Sequence, residues 1–196
     1  MSTPAEHPPR TDPDHEPDHE PDGRRRRGLR RRALLIEAVL AVVARDGAAA
    51  LTHAAVAAEA GLSRSAVSHH FASIDELLVA ALRSGTEQLV AAMPGVPTDS
   101  DLSWFAAELV GLFRENRDRV AAGYELYLLA ARRPALRAAV TLWLDLLADL
   151  AGHHTDDPVR ARACATALDG YFLQHLATGA TPRAEELERL VRAALS

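Results

Sequence analysis

The sequence predicts an all-helical fold of about nine helices, and two observations lead to this prediction. Apolar residues make up 48% of the 196-residue chain, and alanine and leucine dominate them, which favours helices over strands. Apolar residues also recur at three- and four-residue intervals, as they do on the buried face of a helix. A chain of this length can form one or two small domains with a sizeable core.

Residues 1–27 are predicted to be a disordered acidic tail followed by an arginine arm. Residues 1–23 contain one arginine and seven acidic residues, and Pro-Asp-His-Glu occurs twice, at 13–16 and 17–20. Such a segment has too little apolar surface to fold. Seven arginines follow between positions 24 and 32. Because they precede the predicted DNA-binding unit described next, we expect them to contact DNA phosphates or the minor groove.

Residues 28–88 are predicted to form a DNA-binding domain, which begins with a helix over 30–45. Its buried stripe comprises Leu35, Val39, Val42 and Val43. Two short helices follow, over 53–60 and 64–70, with Thr52 and Ser63 as N-caps and Gly61 in the turn between them. Val56, Ala60, Leu62, Val67 and Phe71 can share one small core. This pattern indicates a helix-turn-helix, although two core helices joined by a tight turn have the same spacing.

A long helix is predicted over residues 74–93, where it links this domain to a second one. Ser73 and Glu76 form a capping box at its start, and Pro94-Gly95 ends it. The second domain, residues 89–196, contains five further predicted helices. Asp157-Pro158 and Thr181-Pro182 are predicted to begin the last two helices, and Gly179 ends the first of these two.

The order and spacing of these elements resemble the tetracycline-repressor (TetR) family of transcriptional regulators. The resemblance covers residues 30–82 and is carried by Gly47, Thr52, Val56-Ala57, Ala60-Gly61-Leu62-Ser63, Val67, His70-Phe71 and Ser73 to Leu77. It implies an N-terminal helix-turn-helix domain joined by a long helix to a helical ligand-binding and dimerisation domain. It also implies a homodimeric regulator, expected to be a repressor, that binds a near-palindromic double-stranded DNA operator.

Two positions depart from the family pattern, with Ser68 in place of a usual tyrosine and Ile74 in place of a usual lysine. Both usual residues commonly contact phosphates, which set affinity and register. These departures favour an alternative, a helical small-molecule-binding protein with a degenerate DNA-binding unit. The charge distribution opposes that alternative, because residues 24–90 carry a formal charge of +4 whereas 91–196 carry −3.

The predicted DNA contacts lie on and around the second short helix. Arg64 stands near its N-terminus, the end that meets base edges, and arginine can pair bidentately with guanine. The other predicted contacts are Ser65, Ala66, Ser68, His69, His70, Thr52, Arg30 and Arg31. Ordinary surface exposure is the alternative for the two histidines.

The second domain is predicted to bind an apolar or aromatic effector. The candidate ligand-binding residues are Phe105, Leu109, Tyr124, Tyr127, Trp143, Phe172 and His175. A ligand pocket is mostly apolar with a few polar groups, although each of these residues also suits an ordinary core. The small residues around Cys164, together with the last helix, are expected to form a dimer interface, as the family resemblance implies.

No catalytic centre, metal site or cofactor is predicted, so we expect a protein that is not an enzyme. The chain has a single cysteine, Cys164, which we expect to be buried. The acidic N-terminus lacks the apolar segment of a signal peptide, and no uncharged apolar run approaches the ~20 residues needed to span a bilayer. The expected location is the cytoplasm.

Overall fold

The computed structural model describes residues 20–92 and 102–196, and these ranges form nine α-helices without a strand. The helices are α1 (Glu20–Asp46), α2 (His53–Glu59), α3 (Arg64–His70), α4 (Ile74–Ala92), α5 (Leu102–Glu115), α6 (Arg117–Leu129), α7 (Arg137–Gly152), α8 (Pro158–Thr178) and α9 (Ala184–Leu195). The predicted all-helical fold is confirmed. The acidic tail up to residue 19 and the predicted stop at Pro94-Gly95 lie outside the described residues.

Helix α1 begins ten residues earlier than predicted. It starts at Glu20, so the seven arginines at 24–32 lie on a helix and not on an irregular arm. Arginine is a good helix former, and the single glycine among them, Gly28, does not interrupt the helix. The predicted buried stripe is confirmed, because Leu35, Val39 and Val42 are each 0% exposed.

Side-chain caps and glycine turns define α2 and α3. The Thr52 hydroxyl accepts the Ala55 N–H at 3.0 Å, and the Ser63 hydroxyl accepts the Ala66 N–H at 3.2 Å. Gly61, with φ of 64°, makes the turn between the helices, a conformation that glycine adopts without a Cβ clash. The predicted helix-turn-helix is therefore present.

The predicted capping box at α4 forms with one difference. Ser73 Oγ accepts the Glu76 N–H at 3.2 Å, as expected. The Glu76 carboxylate, however, accepts the N–H of Ala72 at 2.8 Å, one residue before the cap. Both interactions satisfy backbone donors that the first turn of the helix leaves unpaired.

Two apolar clusters form the core, and α6 belongs to the N-terminal one. Ala122 and Leu126 pack with α1, with the helix-turn-helix and with the first half of α4. The second cluster joins α5, α7, α8 and α9 to the end of α4. On α6 itself, Leu126 is buried, whereas Leu128 is 58% exposed.

The ends of α8 follow the prediction, whereas the start of α9 does not. The Asp157 carboxylate caps α8 through the Val159 N–H at 2.8 Å, and Gly179 ends it with φ of 73°. Helix α9 begins at Ala184 and not at Thr181-Pro182. The Tyr171 hydroxyl on α8 accepts the Arg183 N–H at 2.9 Å and donates to the Arg183 carbonyl at 3.0 Å. This tertiary contact fixes the chain just before α9.

Candidate nucleic-acid interface and ligand cavity

Helix α3 turns one face into the core and the other to solvent. Val67 is 0% exposed and Phe71, directly after the helix, is 3% exposed. The opposite face carries the predicted DNA contacts, of which Arg64, Ser65, Ser68 and His69 are exposed and Ala66 and His70 are partly buried. The surface expected to face DNA is therefore polar and accessible.

Three predicted contact residues also bond within the protein. Thr52 uses its hydroxyl as the N-cap of α2 but remains exposed. Ser65 Oγ lies 2.9 Å from Ser63 Oγ, and Ser68 Oγ donates to the Arg64 carbonyl at 3.2 Å. The Ser68 side chain therefore lies against its own helix, and it cannot reach as far as the larger tyrosine usual at this position.

Two arginines of α1, Arg31 and Arg32, lie beside the C-terminal end of α3. The guanidinium carbon of Arg32 lies 5.1 Å from the centre of the Phe71 ring, in cation–π geometry. Burial lowers the pKa of His70, and the positive charges of His69, Arg31 and Arg32 lower it further. The exposed residues Arg30 and Arg31 therefore extend the same basic surface as α3. Arg32 was not among the predicted DNA contacts.

The C-terminal half encloses a cavity of about 340 Å³ between α4, α5, α6, α7 and α8. Its wall is mainly apolar and aromatic, and the rings of Phe113 and Phe172 stack with their centres 5.0 Å apart. The lining residues are Leu82, Gly85, Gln88, Leu89, Leu109, Leu112, Phe113, Asn116, Arg119, Val120, Gly123, Tyr124, Tyr127, Trp143, Leu147, Leu168, Asp169 and Phe172. This volume falls within the range of small-molecule pockets, roughly 300–1,000 Å³.

Five of the seven predicted ligand-binding residues line this cavity, and two do not. The five are Leu109, Tyr124, Tyr127, Trp143 and Phe172. Phe105 is 1% exposed and packs against the ring of His154, with centres 5.8 Å apart. His175 lies against the ring of Tyr171, and its Nδ1 is 2.8 Å from the Tyr171 carbonyl oxygen. Helical spacing places both residues in this half but does not give the direction of either side chain.

The cavity wall contains an acidic residue, Asp169, that was not predicted from the sequence. Its Oδ1 accepts the Tyr124 hydroxyl at 2.9 Å and the Trp143 indole N–H at 3.3 Å. Burial raises the pKa of Tyr124, and the Asp169 carboxylate raises it further. Both donors are neutral, so neither of them brings a positive charge to the Asp169 carboxyl group. The available signal was that Asp169 is the one acidic residue of α8 and stands three positions before Phe172.

Arg119 is a second charged residue of the cavity wall that was not predicted from the sequence. Its side chain is 17% exposed and forms an ion pair with Glu37 on α1. It also donates to the Ser84 hydroxyl on α4 at 3.0 Å. The cavity is therefore connected to the first helix of the DNA-binding half by one side chain.

Comparisons with known proteins agree with this architecture. Residues 35–81 match the family model described as "Bacterial regulatory proteins, tetR family", and residues 97–196 match "Tetracyclin repressor-like, C-terminal domain". A curated relative, the HTH-type nicotine-responsive transcriptional repressor HdnoR of Paenarthrobacter nicotinovorans, is 31% identical over 173 residues. That match covers 80% of this chain and 89% of the relative.

Two solved structures share the fold and more than a third of the aligned residues. A TetR-family member from Streptomyces coelicolor A3 is 36% identical with a TM-score of 0.76, covering 85% of this chain and 98% of that one. The multidrug binding protein EbrR, complexed with ethidium, is 38% identical with a TM-score of 0.72, covering 85% and 99%.

The accessible recognition helix and the helical fold define a DNA-binding protein of the helix-turn-helix class. The chain belongs to the TetR family of bacterial transcriptional regulators, and it is therefore a regulator and not an enzyme. None of its described helices is both long and apolar enough to cross a membrane.

Proposed function

We propose that this regulator is a repressor that binds a near-palindromic operator as a homodimer and leaves it when an aromatic small molecule enters the cavity. The observation that carries the proposal is the 340 Å³ aromatic cavity with Asp169 in its wall. It supports a site for one small ligand, at a place where α4 and α6 connect it to the DNA-binding half.

The proposed DNA contacts are divided between α3 and α1. Arg64 reads a base from the start of α3, and Ser65, Ala66, Ser68 and His69 face the groove beside it. Thr52, His70, Arg30 and Arg31 contact phosphates, which supply affinity without reading sequence. The basic surface of α1 compensates for the phosphate contacts that a tyrosine at Ser68 and a lysine at Ile74 would supply.

The proposed effector is aromatic and carries a positive charge or a hydrogen-bond donor. Stacked and tilted rings offer flat apolar contacts, and Asp169 offers a carboxyl group that the neutral donors of Tyr124 and Trp143 contact. EbrR has been solved with ethidium, proflavin, malachite green and imidazole, and HdnoR is named for its response to nicotine. These relatives support a ligand of the same general chemistry.

The proposed dimer interface lies on α8 and α9. Of the small residues of α8, Ala163 is exposed and Ala167 and Gly170 are partly buried, which allows a second helix to approach this face closely. Val159 on α8 is 74% exposed and Leu190 on α9 is 37% exposed, so both are accessible to a second copy. The proposal also includes a cytoplasmic location and a division of the chain into three parts. These are a tail and arginine segment (1–27), a DNA-binding domain (28–88) and a regulatory domain (89–196).

The proposal is tested with an operator selected from random double-stranded DNA and a gel-shift titration with malachite green and nicotine. Trp143 lines the cavity, whereas Trp104 is 42% exposed and does not. Trp143→Ala is expected to bind operator like the parent and to need at least about tenfold more ligand for release, the effect of roughly 1.4 kcal/mol of lost contact. Trp104→Ala, the matched control, is expected to respond normally.

Each result distinguishes the alternatives. A protein that shifts no DNA sequence but binds these ligands would instead be a helical small-molecule-binding protein with a degenerate DNA-binding unit. Normal release of the Trp143→Ala variant would place the effector outside this cavity. Repression is tested separately, by placing the operator upstream of a reporter gene and measuring expression with and without the protein.

A further inference from the structure

Helix α6 lies between the cavity and the DNA-binding core and contributes to both. Gly123 and Tyr127 line the cavity, whereas Ala122 and Leu126 are buried in the cluster that contains α1 and the helix-turn-helix. A ligand that displaces the cavity wall at α6 therefore acts on a helix that supports the DNA-binding half.

Three polar contacts tie α6 and the residues just after it to that half. They are Arg119 with Glu37, Glu125 with the Ala48 N–H at 2.5 Å, and Arg133 with Asp75 at 2.6 Å. Of these three contacts, the one made by Arg119 is also part of the cavity wall. Arg119 is thus placed to respond directly to a ligand.

Among the described residues, the Arg119 guanidinium retains one donor without an acceptor. Its Nη1 donates to the Glu37 carboxylate, and its Nη2 donates to the Ser84 hydroxyl at 3.0 Å. Its Nε–H is buried and has no acceptor among the described residues. A buried donor without an acceptor is energetically costly, so a group that supplies an acceptor there is favoured.

We propose that Arg119 binds a hydrogen-bond acceptor of the effector and thereby links the cavity to α1 through Glu37. The inference rests on the proposed effector cavity and adds a second polar contact, opposite in charge to Asp169. The effector is then an aromatic molecule with a donor or positive charge for Asp169 and an acceptor, such as a ring nitrogen, carbonyl or acid group, for Arg119. Because one guanidinium serves both the ligand and Glu37, the two contacts are coupled, and the coupling is reciprocal.

Two fluorescent probes with the same rings test the recognition. They are 8-anilino-1-naphthalenesulfonate, which carries an acceptor group, and N-phenyl-1-naphthylamine, which lacks the sulfonate. Arg119→Met is expected to weaken binding of the sulfonate probe at least tenfold and to change binding of the neutral probe less than threefold. The matched control, Arg133→Met, removes an arginine that does not line the cavity and is expected to leave both affinities within threefold of the parent.

A blocking variant establishes where the probes bind. A Cβ added at Gly123 would meet no atom within 4 Å, so Gly123→Trp is expected to fill the cavity and abolish binding of both probes. The folding of each variant is checked by circular dichroism. An unchanged ratio of probe affinities in Arg119→Met, or sulfonate binding that survives in Gly123→Trp, would overturn the recognition by Arg119.

Hydrogen exchange tests the link to α1. In the parent, the sulfonate probe is expected to accelerate amide exchange in residues 35–46 more than the neutral probe does, because an anionic group at Nε offsets part of the guanidinium charge and so weakens the ion pair of Arg119 with Glu37. Glu37→Gln alters the α1 side of the ion pair without changing a cavity residue. This variant is expected to bind the sulfonate probe at least as tightly as the parent does. It is also expected to lose the difference in exchange between the two probes. A difference that persists in Glu37→Gln would contradict the link. These experiments use no DNA, so their outcome is separate from that of operator binding.

Discussion

In the helix-turn-helix the apolar side chains fill the core and most polar ones face solvent, whereas polar and even charged side chains line the cavity of the C-terminal half. Val56 and Val67 are each 0% exposed. On the opposite face of α3, Arg64, Ser68 and His69 are exposed and accessible to a partner. Around the cavity, Asp169 and Arg119 instead stand among aromatic rings. The difference teaches that the two halves are built in opposite ways, one with its polar groups on the outer surface and the other with polar groups in its interior, as the proposed recognition of DNA and of a small molecule requires.

The largest expected effect is on the free energy of unfolding, and it compares the packing of the N-terminal core with that of the cavity wall. Phe71→Ala removes a ring from the filled N-terminal core and is expected to lower the free energy of unfolding by about 3–5 kcal/mol. Phe172→Ala removes a ring from the cavity wall, where the ring is only partly buried, and is expected to cost about 1–2 kcal/mol. Urea unfolding measures both values. Equal losses would show that the cavity wall is packed as tightly as the N-terminal core.

A second prediction concerns the outward-facing recognition surface. Arg64→Ala is expected to weaken binding to the selected operator by about 1–3 kcal/mol, the amount expected for loss of a base-reading arginine. Arg114→Ala, a change at an exposed arginine of α5, serves as the control and is expected to have no effect. Fluorescence anisotropy with operator and with random DNA measures the change. If Arg64→Ala lost the same affinity for both DNAs, Arg64 would be a phosphate contact and not a base reader.

A smaller effect is expected from the basic surface of α1. The double variant Arg30→Gln/Arg31→Gln is expected to reduce the slope of log K against log salt by about 0.9 for each phosphate contact that is lost. The double variant Arg114→Gln/Arg132→Gln makes the same change in net charge in the C-terminal half and is expected to preserve the slope. A salt titration of operator binding provides the measurement, and equal slopes in all three proteins would exclude Arg30 and Arg31 as phosphate contacts.

The smallest effect is a pH dependence of stability in the C-terminal half. Burial lowers the pKa of His154 from its ordinary value, and the charge of His153 lowers it further. The unfolded chain therefore binds a proton more readily than the folded one. Stability is accordingly expected to decrease as the pH falls below about 6.5, the ordinary pKa of histidine. His154→Gln should show less of this decrease than the parent in thermal unfolding at pH 7.5 and pH 5.5, while an identical decrease would assign it to other groups such as His70.

The sequence by itself determined the local elements, because their signals are short-range. Thr52, Ser63, Ser73 and Asp157 were predicted as caps, and each accepts a backbone N–H within three residues of itself. The buried stripe of α1 was also predicted, since a helix with a single apolar face has one way to bury it. These features were enough to predict the helix-turn-helix and the helical fold.

The tertiary structure decided which helix faces meet and which side chains reach the cavity. Apolar residues lie on two faces of helix α6. Its packing against α1 and α4 determines that Leu126 is buried and Leu128 is exposed. Phe105 and His175 have the same residue chemistry as the cavity aromatics but point elsewhere, while Asp169 and Arg119 were found only through partners on other helices. These contacts join residues that are distant in sequence. Periodicity within one helix predicts that a residue is buried, but it cannot predict against which neighbour the residue is buried.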